Sequence, residues 1–355
     1  MHILHVVGAR PNFMKAAPVL RALSTQPASK QTLVHTGQHY DFNMSEVFFS
    51  QLEIPTPDVN LGVGSGTHAQ QTAEIMSRFE PVALERRPDC VLVYGDVNST
   101  VAAALVCAKL GIRVGHVEAG LRSFDRSMPE EINRVVTDRL ADFLFTPSED
   151  ADANLKHEGI PAEKIQRVGN VMIDSLVRLL PMAESVPKNG FPERYALVTL
   201  HRPANVDDSE TLKSILKSLL DINESIDVIF PVHPRTRQRI EEFGYKAENL
   251  HLYGPLPYIE FLALQRRAVV VITDSGGVQE ETTYLGVPCL TLRSNTERPI
   301  TVDVGTNVVV GQDSRKFSAE FLKIIEGKGK KGSIPPLWDG HAGERIAAIL
   351  VALDV

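Results

Sequence analysis

Short apolar runs alternate with longer amphipathic stretches along the chain. Apolar runs bounded by turn formers predict strands over 2–7, 31–36, 90–94, 112–117, 142–146, 195–200, 227–232, 250–253, 268–273, 287–292 and 307–310. Apolar residues at helical spacing predict helices between most of them, among them Asn12–Ser24, Thr67–Arg86, Ser99–Lys109, Glu130–Arg139 and Ser209–Ile222. Strand–helix alternation at this pitch implies parallel sheets with right-handed crossovers. Eleven strands are unusual in one sheet. The stretch 181–195 is rich in turn formers, with Pro181, Pro187, Asn189, Gly190 and Pro192, and it lacks a long apolar pattern. A domain boundary is therefore placed just before it, near Gly169–Asn170. The expected fold class is α/β: two Rossmann-like, doubly wound domains, residues 1–169 and 170–340, facing a central cleft. The last helical pattern, Gly343–Leu353 within 341–355, is expected to return to the first domain. The run Gly327–Ser333 reads as a mobile surface loop. Gly62–Gly66 is glycine-rich but lacks the strand-then-helix setting of a dinucleotide fingerprint, so it reads as a loop.

A length of 355 residues fits two ordinary domains. At 43% hydrophobic and 23% charged, the composition is that of a globular protein. No apolar run approaches the roughly 20 residues of a membrane span. Met1–Gly8 has no basic leader and runs straight into a strand pattern, so no signal peptide is expected. Cys90, Cys107 and Cys289 fall in apolar patterns without a C-x-x-C pair, and buried, reduced thiols in a cytoplasmic protein are the expectation. The net charge of −7 argues against a nucleic-acid partner. An anionic ligand would have to meet positive charge inside a cleft.

Ligands in doubly wound folds sit outside the carboxyl ends of the strands, and these ends carry the candidate chemistry. The run Asp274-Ser-Gly-Gly-Val-Gln-Glu-Glu281 follows a buried-strand pattern and opens a helix. It is either a tight βα turn or a phosphate site, in which free backbone N–H groups and the helix dipole meet an anion at Ser275, Gly276 and Gly277. Glu281, one turn in, is placed to accept ribose hydroxyls. Arg10 stands in the turn Gly8-Ala-Arg-Pro11 and suits a diphosphate, because a guanidinium binds oxygens in pairs. Lys15 is either a second ligand contact or a solvated helix lysine. Asp96, Glu118 and Glu130 lie at carboxyl-end positions of one sheet, where one acid and one base could be drawn from them. Asp96 alone could be a helix cap and Glu130 a first-turn acid. A strand end gives Glu118 no such role. His201 and His233 each follow a strand in the second half, as does Arg298, and all three are candidates for phosphate or ribose oxygens. No His/Cys cluster has metal spacing, and no serine sits in a nucleophile elbow.

Taken together, Gly8-Ala-Arg-Pro11 with Lys15, Thr36-Gly-Gln-His39, Gly95-Asp96, Gly115-His-Val-Glu-Ala-Gly-Leu-Arg122, Pro129-Glu-Glu131 with Asn133-Arg134, Gly169-Asn170, His201-Arg202 with Asn205, Pro231-Val-His233, Asp274–Glu281 and Thr296-Glu-Arg-Pro299 resemble the non-hydrolysing UDP-N-acetylglucosamine 2-epimerases. The segments run in family order over nearly the whole chain. The resemblance implies a two-domain glycosyltransferase B arrangement. It implies inversion at C2 of the sugar to give UDP-N-acetylmannosamine, through elimination and re-addition of UDP, with no cofactor. Asp96, Glu118, Glu130 and His201 would be catalytic. A cytoplasmic homodimer serving surface-polysaccharide synthesis is implied too. Many bacterial members are activated by UDP-N-acetylglucosamine at a second site, and Gln38, His39, Gln70 and Gln71 match positions near it. The chain departs from many members at Pro203-Ala204-Asn205 and at Tyr40. These changes bear on activator binding and on the C3 and C6 substituents accepted, since relatives act on diacetamido uronic-acid sugars. A hydrolysing 2-epimerase, a UDP-sugar glycosyltransferase and a non-catalytic sugar-nucleotide sensor are the alternatives.

Overall fold

The computed structural model describes the chain apart from residues 28, 39–51, 188–189, 233, 245–249 and 353–355, and apart from the side chains of Arg10 and Arg235. His39 and His233, and the side chain of Arg10, therefore lie outside the described residues. The chain divides into two compact units, Met1–Arg178 with Pro336–Val355, and Leu179–Pro335.

The first unit holds β1 (His2–Val7), β2 (Lys30–His35), β3 (Val59–Asn60), β4 (Cys90–Tyr94), β5 (Arg113–Val117), β6 (Phe143–Thr146) and β7 (Ile165–Arg167). They form one sheet in the order β3-β2-β1-β4-β5-β6-β7, parallel throughout. Around it lie α1 (Arg10–Ser24), α2 (His68–Arg86), α3 (Asn98–Leu110), α4 (Pro129–Leu140), α5 (Glu149–His157) and the start of α6 (Val171–Ser185). Every residue of β4 is buried, as expected for a strand covered on both faces. Val91 and Val93 pack with Leu4 and Val6 of β1, Phe79 and Ala83 of α2, and Ala103 and Val106 of α3. The edge strands β3 and β7 were not among the expected ones. At two and three residues they are too short to leave a periodic signal.

The second unit repeats the plan with β8 (Tyr195–Thr199), β9 (Asp227–Pro231), β10 (His251–Tyr253), β11 (Val270–Thr273), β12 (Cys289–Thr291) and β13 (Asn307–Val309). Its order is β10-β9-β8-β11-β12-β13, again parallel. Its helices are α7 (Pro203–Val206), α8 (Ser209–Asn223), α9 (Pro234–Glu242), α10 (Tyr258–Arg267), α11 (Gly276–Leu285), α12 (Pro299–Asp303) and α13 (Ser314–Ile325). Winding reverses at β1/β4 in one sheet and at β8/β11 in the other. Each reversal leaves a crevice at the carboxyl ends of those strands.

The division between units falls inside α6, after Arg178, and not at Gly169–Asn170. Asn170 is a helix start: its side-chain oxygen accepts from Met172 N at 2.9 Å. The last helix, α14 (Ala342–Ala352), belongs to the first unit. Its leading N–H groups, on Ala342 and Gly343, donate to Asp174 of α6 at 3.1 and 2.7 Å. Trp338, fully buried, donates to the Pro147 carbonyl at 2.9 Å. The run Gly327–Ser333 is held rather than loose. Lys330 donates to the carbonyls of Val302 and Asn307, and Ser333 N to that of Val304, because the loop covers the end of α12. Gly62–Gly66 is a loop, pinned by Arg78 to the Leu61 and Gly62 carbonyls and by Gln71 to the Gly64 carbonyl. Among the described residues, no helix is long and apolar enough to cross a membrane.

The Asp174 latch predicts a pH dependence. Burial pushes its carboxyl up to about 6, against the pull of the Gly343 and Ala342 N–H groups. A raised folded value favours the protonated form, so this stabilisation is full below about 4 and is lost as pH rises through about 6. Asp174→Asn cannot titrate. The stability of wild type relative to that variant should fall by about 2–3 kcal/mol between pH ~4 and ~7. Urea unfolding at four or five pH values checks it; a flat difference would remove the latch's titration.

Candidate active site

In the first unit the β1/β4 crevice is built around Asn12. Its side-chain oxygen accepts from Gly8 N and Ala9 N at 3.1 and 3.0 Å, and its amide donates to the Tyr94 carbonyl at 2.8 Å. One side chain thus fixes the turn into α1 against the end of β4. Lys15, one turn along α1, is buried and ion-paired with Glu118 at the end of β5, so it is not a solvated lysine. Gly95 makes this pair geometrically allowed. Its φ is +64°, and a Cβ there would stand 2.6 Å from Lys15 Nζ and 3.2 Å from Glu118 Oε2. Asp96, the next residue, is ion-paired with Arg134 of α4. Two of the three expected carboxylates therefore each meet a cation.

The third expected carboxylate and its neighbour divide the work. Glu131 is buried: it accepts from Ser123 N, Ser123 Oγ and Phe124 N at 2.9–3.0 Å and pairs with Arg134 at 2.7 Å. It positions the arginine that holds Asp96. Glu130, in the first turn of α4, is half-buried.

A second layer fixes the β5 end. His116 Nε2 donates to the Gly95 carbonyl at 2.8 Å, while Nδ1 lies 2.6 Å from Asp138 of α4. Asp138 also accepts from Gly120 N at 3.1 Å and pairs with Arg122 at 2.7 Å. Burial alone would raise the Asp138 carboxyl; His116 and Arg122 overcome it and hold the group below its ordinary value. Arg122 reaches on to Glu158 through two 2.7 Å bonds. Neither His116 nor Asp138 was expected at the site.

Gln38 and Gln71 lie beside this crevice. Gln38 accepts from Ser99 Oγ at 2.7 Å, and Gln71 accepts from Asn98 at 2.8 Å. Gln70 instead sits in the capping box of α2 with Thr67.

In the second unit the β8/β11 crevice has Asp274 at its centre. This fully buried carboxylate accepts from His201 N at 3.2 Å, Arg202 N at 3.0 Å and Asn205 Nδ2 at 3.1 Å, and lies 2.9 Å from His201 Nδ1. Burial would raise it, but the His201 ring and the other donors bring it below its ordinary value. His201 is thereby fixed through Nδ1, with its ring 59% exposed. Ser275 stands at the N-cap position of α11 without a side-chain cap bond, its own N–H donating to Thr273 Oγ1 at 3.0 Å, and the first N–H groups of a helix have no intrahelical partner. Glu281 is buried and accepts from Tyr258 at 2.7 Å.

Arg298 stands between β12 and α12. It is buried, bonded to Glu280 at 2.8 Å and Glu297 at 2.7 Å. A Cβ on Gly276 would stand 2.3 Å from its guanidinium, so the arginine packs behind the turn because Gly276 lacks a side chain. Among the described residues, no group of His, Cys, Asp and Glu could hold a metal ion.

Two parallel, doubly wound sheets define a protein of the glycosyltransferase B fold class. The chain matches the family model described as UDP-N-acetylglucosamine 2-epimerase over residues 21–351. It is 44% identical to the Pseudomonas aeruginosa UDP-2,3-diacetamido-2,3-dideoxy-D-glucuronate 2-epimerase over 356 residues, 99% of this chain and 100% of that protein. The crystal structure of Methanocaldococcus jannaschii UDP-GlcNAc 2-epimerase in complex with UDP-GlcNAc and UDP matches with a TM-score of 0.90 at 44% identity, over 99% of this chain and 100% of that one. A lipopolysaccharide outer core galactosyltransferase matches at 0.58 and 13% identity, a likeness of fold alone. The chain belongs to the UDP-N-acetylglucosamine 2-epimerase family.

Removing Asp138 should leave the buried His116 ring and Gly120 N without their acceptor, and Arg122 without one of its two carboxylates. Asp138→Ala is expected to cost about 3–5 kcal/mol, measured by urea unfolding. A cost below about 1 kcal/mol would show that the strand-end loops hold without it.

Proposed function

We propose that the protein interconverts UDP-N-acetylglucosamine and UDP-N-acetylmannosamine as a non-hydrolysing 2-epimerase. The observation that carries this reading is the pair of cation-matched carboxylates, Asp96 and Glu118, set on either side of Gly95 at the carboxyl edge of one sheet. The C2 proton of the sugar is not next to a carbonyl, so direct deprotonation is too hard. Breaking the anomeric C1–O bond makes it feasible. A carboxylate takes the C2 proton, the C2–H electron pair becomes the C1=C2 bond of 2-acetamidoglucal, and the C1–O pair leaves with UDP. Anti elimination followed by syn re-addition returns UDP to C1 and a proton to the other face of C2.

Asp96, Glu118 and Glu130 supply the proton transfers. Lys15 acts as the ion-pair partner that orients Glu118. In the second unit, the Ser275 hydroxyl, the first-turn N–H groups of Gly276 and Gly277 and the dipole of α11 stabilise charge on the departing diphosphate. Glu281 takes ribose hydroxyls, oriented by Tyr258. His201, with Nδ1 engaged by Asp274, offers Nε2 to the leaving group. Arg10 and His233 are assigned to UDP on their sequence positions. The acetamido glucuronate sugar of the Pseudomonas relative is the second reading, favoured by an identity equal to that of the Methanocaldococcus enzyme. Elimination across C1–C2 is the same chemistry for both sugars.

With UDP-N-acetylglucosamine alone in deuterium oxide, NMR should show UDP-N-acetylmannosamine carrying deuterium at C2. Unlabelled product would point to a redox route, free N-acetylmannosamine to a hydrolysing enzyme, and no turnover without an acceptor to a transferase. Turnover only of the diacetamido uronate would establish the second reading. Asp96→Asn and Glu118→Gln should each lower kcat by about 10²–10⁴-fold while UDP still binds in calorimetry. Near-normal rates in either would end its catalytic role.

A further inference from the structure

Asp96 is held twice by consecutive residues of α4. Arg134 meets its carboxylate, and Asn133 Nδ2 donates to its backbone carbonyl at 2.8 Å. Asn133 also reaches Asn98 Oδ1 at 3.4 Å. Asn98 opens α3 and is 6% exposed. Its Nδ2 donates to Gln71 Oε1 of α2 at 2.8 Å, and its amide lies 3.3 Å from His68 Nδ1. Gln71 is anchored in turn on the Gly64 carbonyl at 2.9 Å. An asparagine at a helix start normally bonds to its own helix's N–H groups. This one caps nothing; Val97 is the cap residue, and no side chain caps α3. Its polar atoms go to three residues on two neighbouring helices.

We propose that Asn98 is a positioning residue for the Asp96–Arg134 pair. It ties α2 and α3 to Asn133, and Asn133 sets the direction of the Asp96 backbone. The role rests on Asp96 being a proton-transfer group. A carboxylate that must reach a carbon-bound proton tolerates little misplacement, since a shift of about 1 Å can cost 10²-fold in rate. Asn98 touches neither carboxylate. It acts on the chemistry by keeping α4 in register with α3. Gln71 enters the same path, so displacement of the first turn of α2 is transmitted to Asp96.

The test compares Asn98→Ala, Asn133→Ala and the double variant with Asp96→Asn. kcat, KM, the pH profile of kcat and UDP affinity are measured, with thermal melts as a check on folding. Each single change should lower kcat about 10-fold or more, move the pH profile, and leave KM and UDP affinity within about 3-fold, a shift under 1 kcal/mol. The double variant should lose no more than the worse single, because both cut one path. If Asn98→Ala does not fold, Gln71→Ala removes the same contact from the α2 side and should show the same split. Unchanged kcat and pH profile, or losses that multiply in the double variant, would overturn the role. A silent Asn98→Ala beside an inactive Asp96→Asn ends only the positioning role. A near-normal Asp96→Asn removes the reading beneath it as well.

Discussion

A buried aspartate at the carboxyl edge of each sheet is the constraint from which both sites follow. Parallel strands end together at that edge, and the loops leaving them carry N–H groups that the ladder no longer satisfies. In the first unit Asp138 gathers Gly120 N, the His116 ring and the Arg122 guanidinium. In the second, Asp274 gathers the N–H groups of His201 and Arg202 and the amide of Asn205. A buried carboxylate is expensive unless matched by donors and charge. Once matched, it fixes several loop segments at once. Glu118 and Asp96 in the first unit and His201 in the second, the groups proposed to meet ligand, are borne on those segments.

Helix α4 shows how far the first unit bends ordinary patterning to reach this end. Its buried positions are Glu131, Arg134, Thr137 and Asp138, while Ile132 and Val135 are exposed. An amphipathic helix usually turns its apolar stripe inward. Here the charged stripe faces in, because the neighbouring strand ends need donors and acceptors more than apolar cover. The helix is a polar strut that carries Glu130 at its head and steadies Asp96 along its flank.

The central strands and the main helices were legible because their apolar periods are long and clean. The strand-end placement of Asp96, Glu118, Ser275 and His201 was legible because each follows a clean apolar strand pattern. Other features were hidden for physical reasons. His116 looks like one polar residue in an apolar strand, and its partner Asp138 lies on a helix whose inversion a standard amphipathic reading reverses. The burial of Lys15 depends on a glycine eighty residues away along the chain. The inward turn of Arg298 depends on the missing side chain of Gly276. Long-range complementarity of that kind has no local signature. Asn205 shows the converse. The Pro203-Ala204 departure leaves its buried bonds to Asp274 and to the Leu292 carbonyl at 2.9 Å in place.

The arginine cluster behind the Gly276 turn has a consequence for how a diphosphate would be retained there. Arg298 pairs with Glu280 and Glu297, and Glu297 also meets Arg293 at 2.7 Å and Arg202 at 3.5 Å, so three arginines share two carboxylates beside the oriented backbone dipoles of the turn. Mobile ions screen attraction between separated charges strongly, and short contacts to buried dipoles far less. A diphosphate held there as proposed would meet short-range dipoles and largely buried charge, over which the ionic strength of the surroundings has little leverage.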